Sequence, residues 1–181
     1  MALGLLSPVW LTLAYLAPLG LVGATLWHHY HPWDLSPPRE LTREIDRIVI
    51  DKSRRVMVAY RDGKALKRYD IGLGFAPEGD KTQQGDGRTP EGIYRINRRN
   101  DRSRFHLSLG IDYPRPEDRA EARELGVDPG GDIFIHGQPN SLPDTMMIPG
   151  DWTEGCIAIT NPEIAELFRY TPIGTLVEIR P

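Results

Sequence analysis

The sequence predicts a mainly β domain, a β-sandwich or partly closed barrel with one or two short helices, preceded by an apolar N-terminal helix. Three observations predict it. Short β-branched runs recur between turn signals from Arg47 to the C-terminus. Gly and Pro are abundant, 18 and 16 of 181 residues, as suits short strands joined by turns. Only two later stretches carry helix-start chemistry. A chain of this length holds one ordinary domain and a tail.

The tail comes first. Residues 1–27 contain no Asp, Glu, Lys or Arg, and residues 9–27 form a mostly apolar run of 19, close to the roughly 20 that cross a bilayer. A transmembrane anchor with Trp27, Tyr30 and Trp33 at the outer interface is favoured over a cleaved signal ending near Val22-Gly23-Ala24. The reason is that no Lys or Arg precedes the run. Either reading exports the domain to the periplasm or cell envelope. A buried core helix fits less well, because the run is apolar on every face. Residues 28–40 read as a linker through Ser36-Pro37-Pro38. His28, His29 and His31 lie in it, and a solvated stretch outweighs a metal site there. The folded domain is expected over residues 41–181.

Within it, residues 47–51 (RIVID) and 56–60 (VMVAY) are β-branched runs separated by a polar turn. Asp62-Gly63 predicts a tight hairpin into a strand over 65–72, because that turn needs positive φ. Residues 92–97 and 105–111 alternate apolar and polar positions, as half-buried strands do. Residues 133–135 and 157–159 are short apolar runs, and 176–179 makes the last strand. A helix over 116–125 opens with Pro and two acids and stops at Gly126, although Arg115 is a poor cap. A second runs from Asn161 to about Tyr170, with Asn161 as cap, Pro162 at the first position and Glu163 at the positive helix end.

Charge and cysteine content narrow the function. The 22 Lys and Arg against 25 Asp and Glu leave a net charge of −3, too little basic field for a nucleic-acid partner. One cysteine excludes an intramolecular disulfide and a cysteine-rich zinc site. That cysteine, Cys156, follows the turn Thr153-Glu154-Gly155 and starts an apolar strand. His136 ends the preceding one. A thiol needs a base or cation to become thiolate at neutral pH, and an imidazole within reach can take its proton and return it to a leaving amine. The Gly137 carbonyl is a candidate to orient that imidazole. Gly155, the N–H groups around it and Thr153 are candidates for oxyanion stabilisation. Against this, a lone Cys beside Ile-Ala-Ile is usually a small buried hydrophobe, and a lone strand-end His is usually structural.

His136-Gly137, then fifteen residues, then Thr153-x-Gly155-Cys156-Ile157 resembles the signature of the YkuD-type L,D-transpeptidases. The stretch Gly87-Arg88-Thr89-Pro90-Glu91-Gly92-Ile93-Tyr94 is similar to that family's Thr-Pro-x-Gly-aromatic segment, and the resemblance spans roughly residues 47–180. It implies a mainly β catalytic domain over 41–181, a cysteine thioester intermediate and peptidoglycan stem peptides as donors. D-alanine is then expelled and an amine, with a protein lysine among the candidates, accepts the acyl group. Thr89, Gly92 and Tyr94 become candidate substrate-binding residues, although turn and structural roles suit them too. No metal or cofactor is needed. Two departures stand out: Glu154 where many members carry His, and Ala158 where many carry Arg. Arg88, Arg98, Arg99 and Arg104 are the candidates to replace that Arg. Its loss favours a second reading, a wall-editing amidase or peptidase with water as acceptor. A non-catalytic wall-binding module with an inert Cys156 is the third. A sortase ranks below these, since the spacing of twenty from His136 to Cys156 is too short.

Overall fold

The computed structural model describes residues 40–181, so the apolar segment, most of the linker and its three histidines lie outside the described residues. Eight strands and two helices follow in chain order: β1 (Arg47–Asp51), β2 (Val56–Arg61), β3 (Lys64–Asp70), β4 (Gly92–Ser103), β5 (His106–Ile111), α1 (Pro116–Leu125), β6 (Phe134–His136), β7 (Ile157–Ala158), α2 (Asn161–Tyr170) and β8 (Leu176–Arg180). They form one sheet in the order β3-β2-β1-β8-β4-β5-β6-β7.

Strand β4 ties its two halves together. Gly92 to Arg95 pair with β8, and Ile96 to Ser103 pair with β5. The β1–β8 and β6–β7 pairs are parallel and the others antiparallel. Beyond β3 the chain returns to the far edge, where Gly72 bridges Ala158 and Gly74 bridges Thr153. The sheet therefore closes partly on itself, and the closure is made at the strand that follows Cys156. Alternate residues of β1, β5 and β8 fill the core with Ile48, Ile50, Leu109, Ile111, Val177 and Ile179. Helix α2 packs its buried Ile164 and Leu167 on β5 and β6.

The hairpin at Asp62-Gly63 forms with φ of 51° and 72°, as a type I′ turn requires. Strand β4 runs six residues past the expected end. Its tail, Arg98 to Ser103, has lost apolar alternation because most of it faces solvent. It persists because it pairs with β5 and because Arg98 lies 4.4 Å over the Phe134 ring and Arg99 4.1 Å over Phe168. Helix α2 is capped one residue earlier than expected. Thr160 is the cap, and Glu163 accepts from its N–H at 3.0 Å and its hydroxyl at 2.6 Å. At α1, Asp118 compensates for Arg115 by accepting its N–H at 2.6 Å.

Candidate active site

Strands β6 and β7 lie side by side and parallel, with Ile135 opposite Ile157 and His136 opposite Ala158. Extended back one residue, that register sets Cys156 beside Phe134. Side chains alternate along a strand, so Phe134, His136 and Cys156 face one side of the pair, with His136 about 6.6 Å further along. Both His136 and Cys156 line one cleft of about 1120 Å³.

The sulfur touches the start of β6. It accepts from the Phe134 N–H at 3.4 Å, and its thiol donates to the Asp132 carbonyl at 3.4 Å. Burial pushes the thiol up to about 11, against the pull of the Phe134 N–H. His136 is 3% exposed. Its Nδ1 lies 2.7 Å from the Gly137 carbonyl, which only accepts, so Nδ1 carries the proton and the Nε2 lone pair is left free. Burial pulls its pKa below the usual histidine range, opposed by that hydrogen bond. The resting pair is therefore neutral thiol and neutral imidazole. Phe105 stacks on the imidazole with centroids 4.6 Å apart, and Trp152 meets it edge-on at 5.7 Å. Neither aromatic was legible as a site residue, because what brings them to His136 is the folding-over of the β4–β5 turn and of the segment before β7 rather than spacing along the chain.

Three chain segments converge behind the cysteine. A Cβ on Gly155, at φ 126°, would lie 2.5 Å from the Arg88 carbonyl, and one on Gly74 would lie 2.1 Å from the Gly87 carbonyl. No side chain fits at either. Thr153 locks the turn: its hydroxyl donates to the Cys156 carbonyl at 2.7 Å and accepts from the Gly155 N–H at 3.1 Å. The Gly155 N–H is thus committed within the turn rather than free for an oxyanion. Gly137 likewise spends its N–H on the Phe105 and Leu107 carbonyls. In the strand itself Ile159 donates to His136 and Ala158 to Gly72. The Cys156 N–H has no partner among the described residues.

The expected substrate-binding trio lies elsewhere. Thr89 is fully buried, and its hydroxyl accepts from the Gly74 N–H at 3.2 Å. Tyr94 is 1% exposed and donates to the Glu91 carbonyl at 3.0 Å. Gly92 opens β4 beneath the Tyr94 ring. None of the three lines the cleft; they brace its base, because buried hydroxyls must find partners inside the fold. Of the four candidate arginines, Arg98 and Arg104 line the cleft. Arg88 instead reaches the Asp80 carbonyl at 3.2 Å, and Arg99 the Thr171 carbonyl at 2.9 Å. Arg102, which also lines the cleft, was not among the candidates. Ala158 is fully buried and hydrogen-bonded to Gly72 in both directions.

Comparison with known proteins agrees with this geometry. Residues 45–179 match YkuD, the L,D-transpeptidase catalytic domain. The putative L,D-transpeptidase YafK of Escherichia coli K12 is 32% identical over 122 residues, which is 66% of this chain and 40% of that protein. The chain thus spans well under half the length of this relative. Among solved structures, the helical cell shape determining protein Pgp2 of Campylobacter jejuni superimposes with a TM-score of 0.58 at 23% identity, over 86% of this chain and 54% of that one. An L,D-transpeptidase of Xylanimonas cellulosilytica gives 0.51 at 17%, over 87% and 69%. Both show the fold. With three quarters of its length inside the matched domain, the chain belongs to the YkuD family of L,D-transpeptidase catalytic domains.

Proposed function

We propose that this chain is an L,D-transpeptidase acting on peptidoglycan stem peptides through a Cys156 thioester. The observation that carries the reading is the free Nε2 of His136 on the same face and in the same cleft as the Cys156 thiol. His136 Nε2 takes the thiol proton as Sγ attacks the carbonyl at the L-centre of diaminopimelate. The Cys156 N–H stabilises the resulting oxyanion. Collapse breaks the amide bond, His136 returns the proton to the leaving nitrogen, and D-alanine departs. An acceptor amine, from another stem or a protein lysine, then attacks the thioester and loses its proton to His136; the C–S bond breaks, and the released thiolate takes that proton back. Gly137 keeps the imidazole in the tautomer that both steps need.

A second reading keeps the nucleophile and resolves the thioester with water. Ala158 favours it, since the position offers no charged group to hold an acceptor or donor carboxylate. The experiment is intact mass of the full chain after incubation with a diaminopimelate tetrapeptide, with and without Cys156. A Cys156-dependent adduct lacking D-alanine supports the acyl-enzyme. Adding an amine then separates the readings, by transfer product or by free acid. No adduct and no release of D-alanine from peptide or intact wall would favour the wall-binding module.

A further inference from the structure

Charge around the cleft is unevenly matched. Lys81 lines it, but its ammonium is committed to Asp86 at 2.8 Å and the Gln83 carbonyl at 3.1 Å. Arg98 reaches Asp132 at 2.8 Å. Arg102 and Arg104 also line the cleft, both are exposed, and their guanidinium groups have no partner among the described residues. The lining carboxylates Asp128, Asp132 and Glu154 sit on the segments leading into β6 and β7, not on this hairpin.

The end of β4, with Arg102, and the turn after it, with Arg104, are held in place. Asn140 donates its N–H to the Arg104 carbonyl at 3.0 Å and its amide to the Ser103 carbonyl at 3.0 Å. Its Oδ1 accepts from the His106 N–H at 2.7 Å. The Arg102 N–H is held by Asn100 Oδ1 at 2.9 Å. Directly after Arg104, Phe105 rests on the His136 ring. The backbone that carries the pair is thereby registered to the imidazole and not left as a free loop. Two uncommitted planar donor forks at a reaction centre suit a carboxylate, which they bind in two-pronged fashion.

We propose that Arg102 and Arg104 form a carboxylate subsite that grips an acidic group of the peptide while its scissile carbonyl reaches Cys156. The pair then sets a preference for the free acid over its amide. The inference rests on the peptide-cleaving reading of this cleft, yet binding rather than turnover tests it. The full chain carrying Cys156→Ala is titrated calorimetrically with the diaminopimelate tetrapeptide and with the same peptide amidated at its carboxyl groups. The acid is expected to bind about tenfold to a hundredfold more tightly. Arg102→Ala with Arg104→Ala removes that difference and leaves the amide's affinity unchanged. Lysine at both positions restores part of it, which a packing role would not do. Equal binding of acid and amide, or equal weakening of both on arginine removal, overturns the subsite. If neither peptide binds, the subsite and the proposed substrate fall together. If the acid preference holds but no acyl-enzyme forms with Cys156 present, the subsite stands and the proposed reaction falls.

Discussion

At Cys156 the Phe134 N–H of β6, the Asp132 carbonyl just before that strand and the burial around them set the chemistry of the resting sulfur. A thiol raised to about 11 reacts through its small thiolate fraction, which grows about tenfold per pH unit below that value. Alkylation by iodoacetamide in the absence of substrate is therefore expected to be slow near neutrality and to keep accelerating with pH toward about 11. A profile levelling off at or below the ordinary cysteine range, about 8.5, would show that the sulfur is not held as described. A slow resting thiol does not mark an inert protein, because in the proposed mechanism His136 removes the proton once a carbonyl is in place. Acyl-enzyme formation, not alkylation, separates enzyme from binding module. The pair Cys156 and His136 was legible because a Gly-Cys turn before an apolar strand and a His at a strand end are local patterns. The Thr153 lock and the occupied Gly155 N–H were not, since either of two donors at that turn suits an oxyanion until the hydrogen bonds are seen.

Among the elements, the helices and most strands were legible because their apolar period and end chemistry are local. Both helices span the expected residues, with only the cap of α2 one residue early, whereas β4 overran, since a strand held by cross-strand pairing and cation–π contacts carries no period of its own. The segment between β3 and β4 shows another non-local device. Lys52, in the β1–β2 turn, is 2% exposed and reaches the Gly79 carbonyl at 2.6 Å, the Thr89 carbonyl at 2.9 Å and Glu91 at 2.7 Å. One buried ammonium thus pins the stretch that supports Gly74 and, through it, the Cys156 turn. Its loss strands the partly buried Glu91 carboxylate and two carbonyls. Lys52→Ala is expected to lower stability by about 3–5 kcal/mol, read from urea unfolding. Lys52→Met with Glu91→Gln should cost clearly less, because no buried charge is left unpaired. Equal costs for the two would mean that packing of the lysine stem, not the ion pair, holds the segment.

For the whole molecule, the cleft and its surroundings belong to the compact unit Pro38–Pro181, and what remains is where that unit works. Among the described residues no helix is long and apolar enough to cross a membrane, and residues 9–27 are apolar without interruption by charge. A peptidoglycan substrate lies outside the cytoplasmic membrane, and an enzyme made inside has to be carried across it. We propose that the apolar run meets that need, the N-terminus delivering the chain and the partly closed barrel reacting. Residues 1–40 fused to a β-lactamase lacking its own signal are expected to confer ampicillin resistance on cells. Alkaline carbonate extraction of the full chain then divides the two forms of the proposal. Retention in the membrane pellet at full mass marks an anchor, and release at a mass shortened by about the first 24 residues marks a cleaved signal. Cells that stay sensitive while the fusion accumulates in the cytoplasm would refute export by this segment and detach the domain from the wall as its substrate.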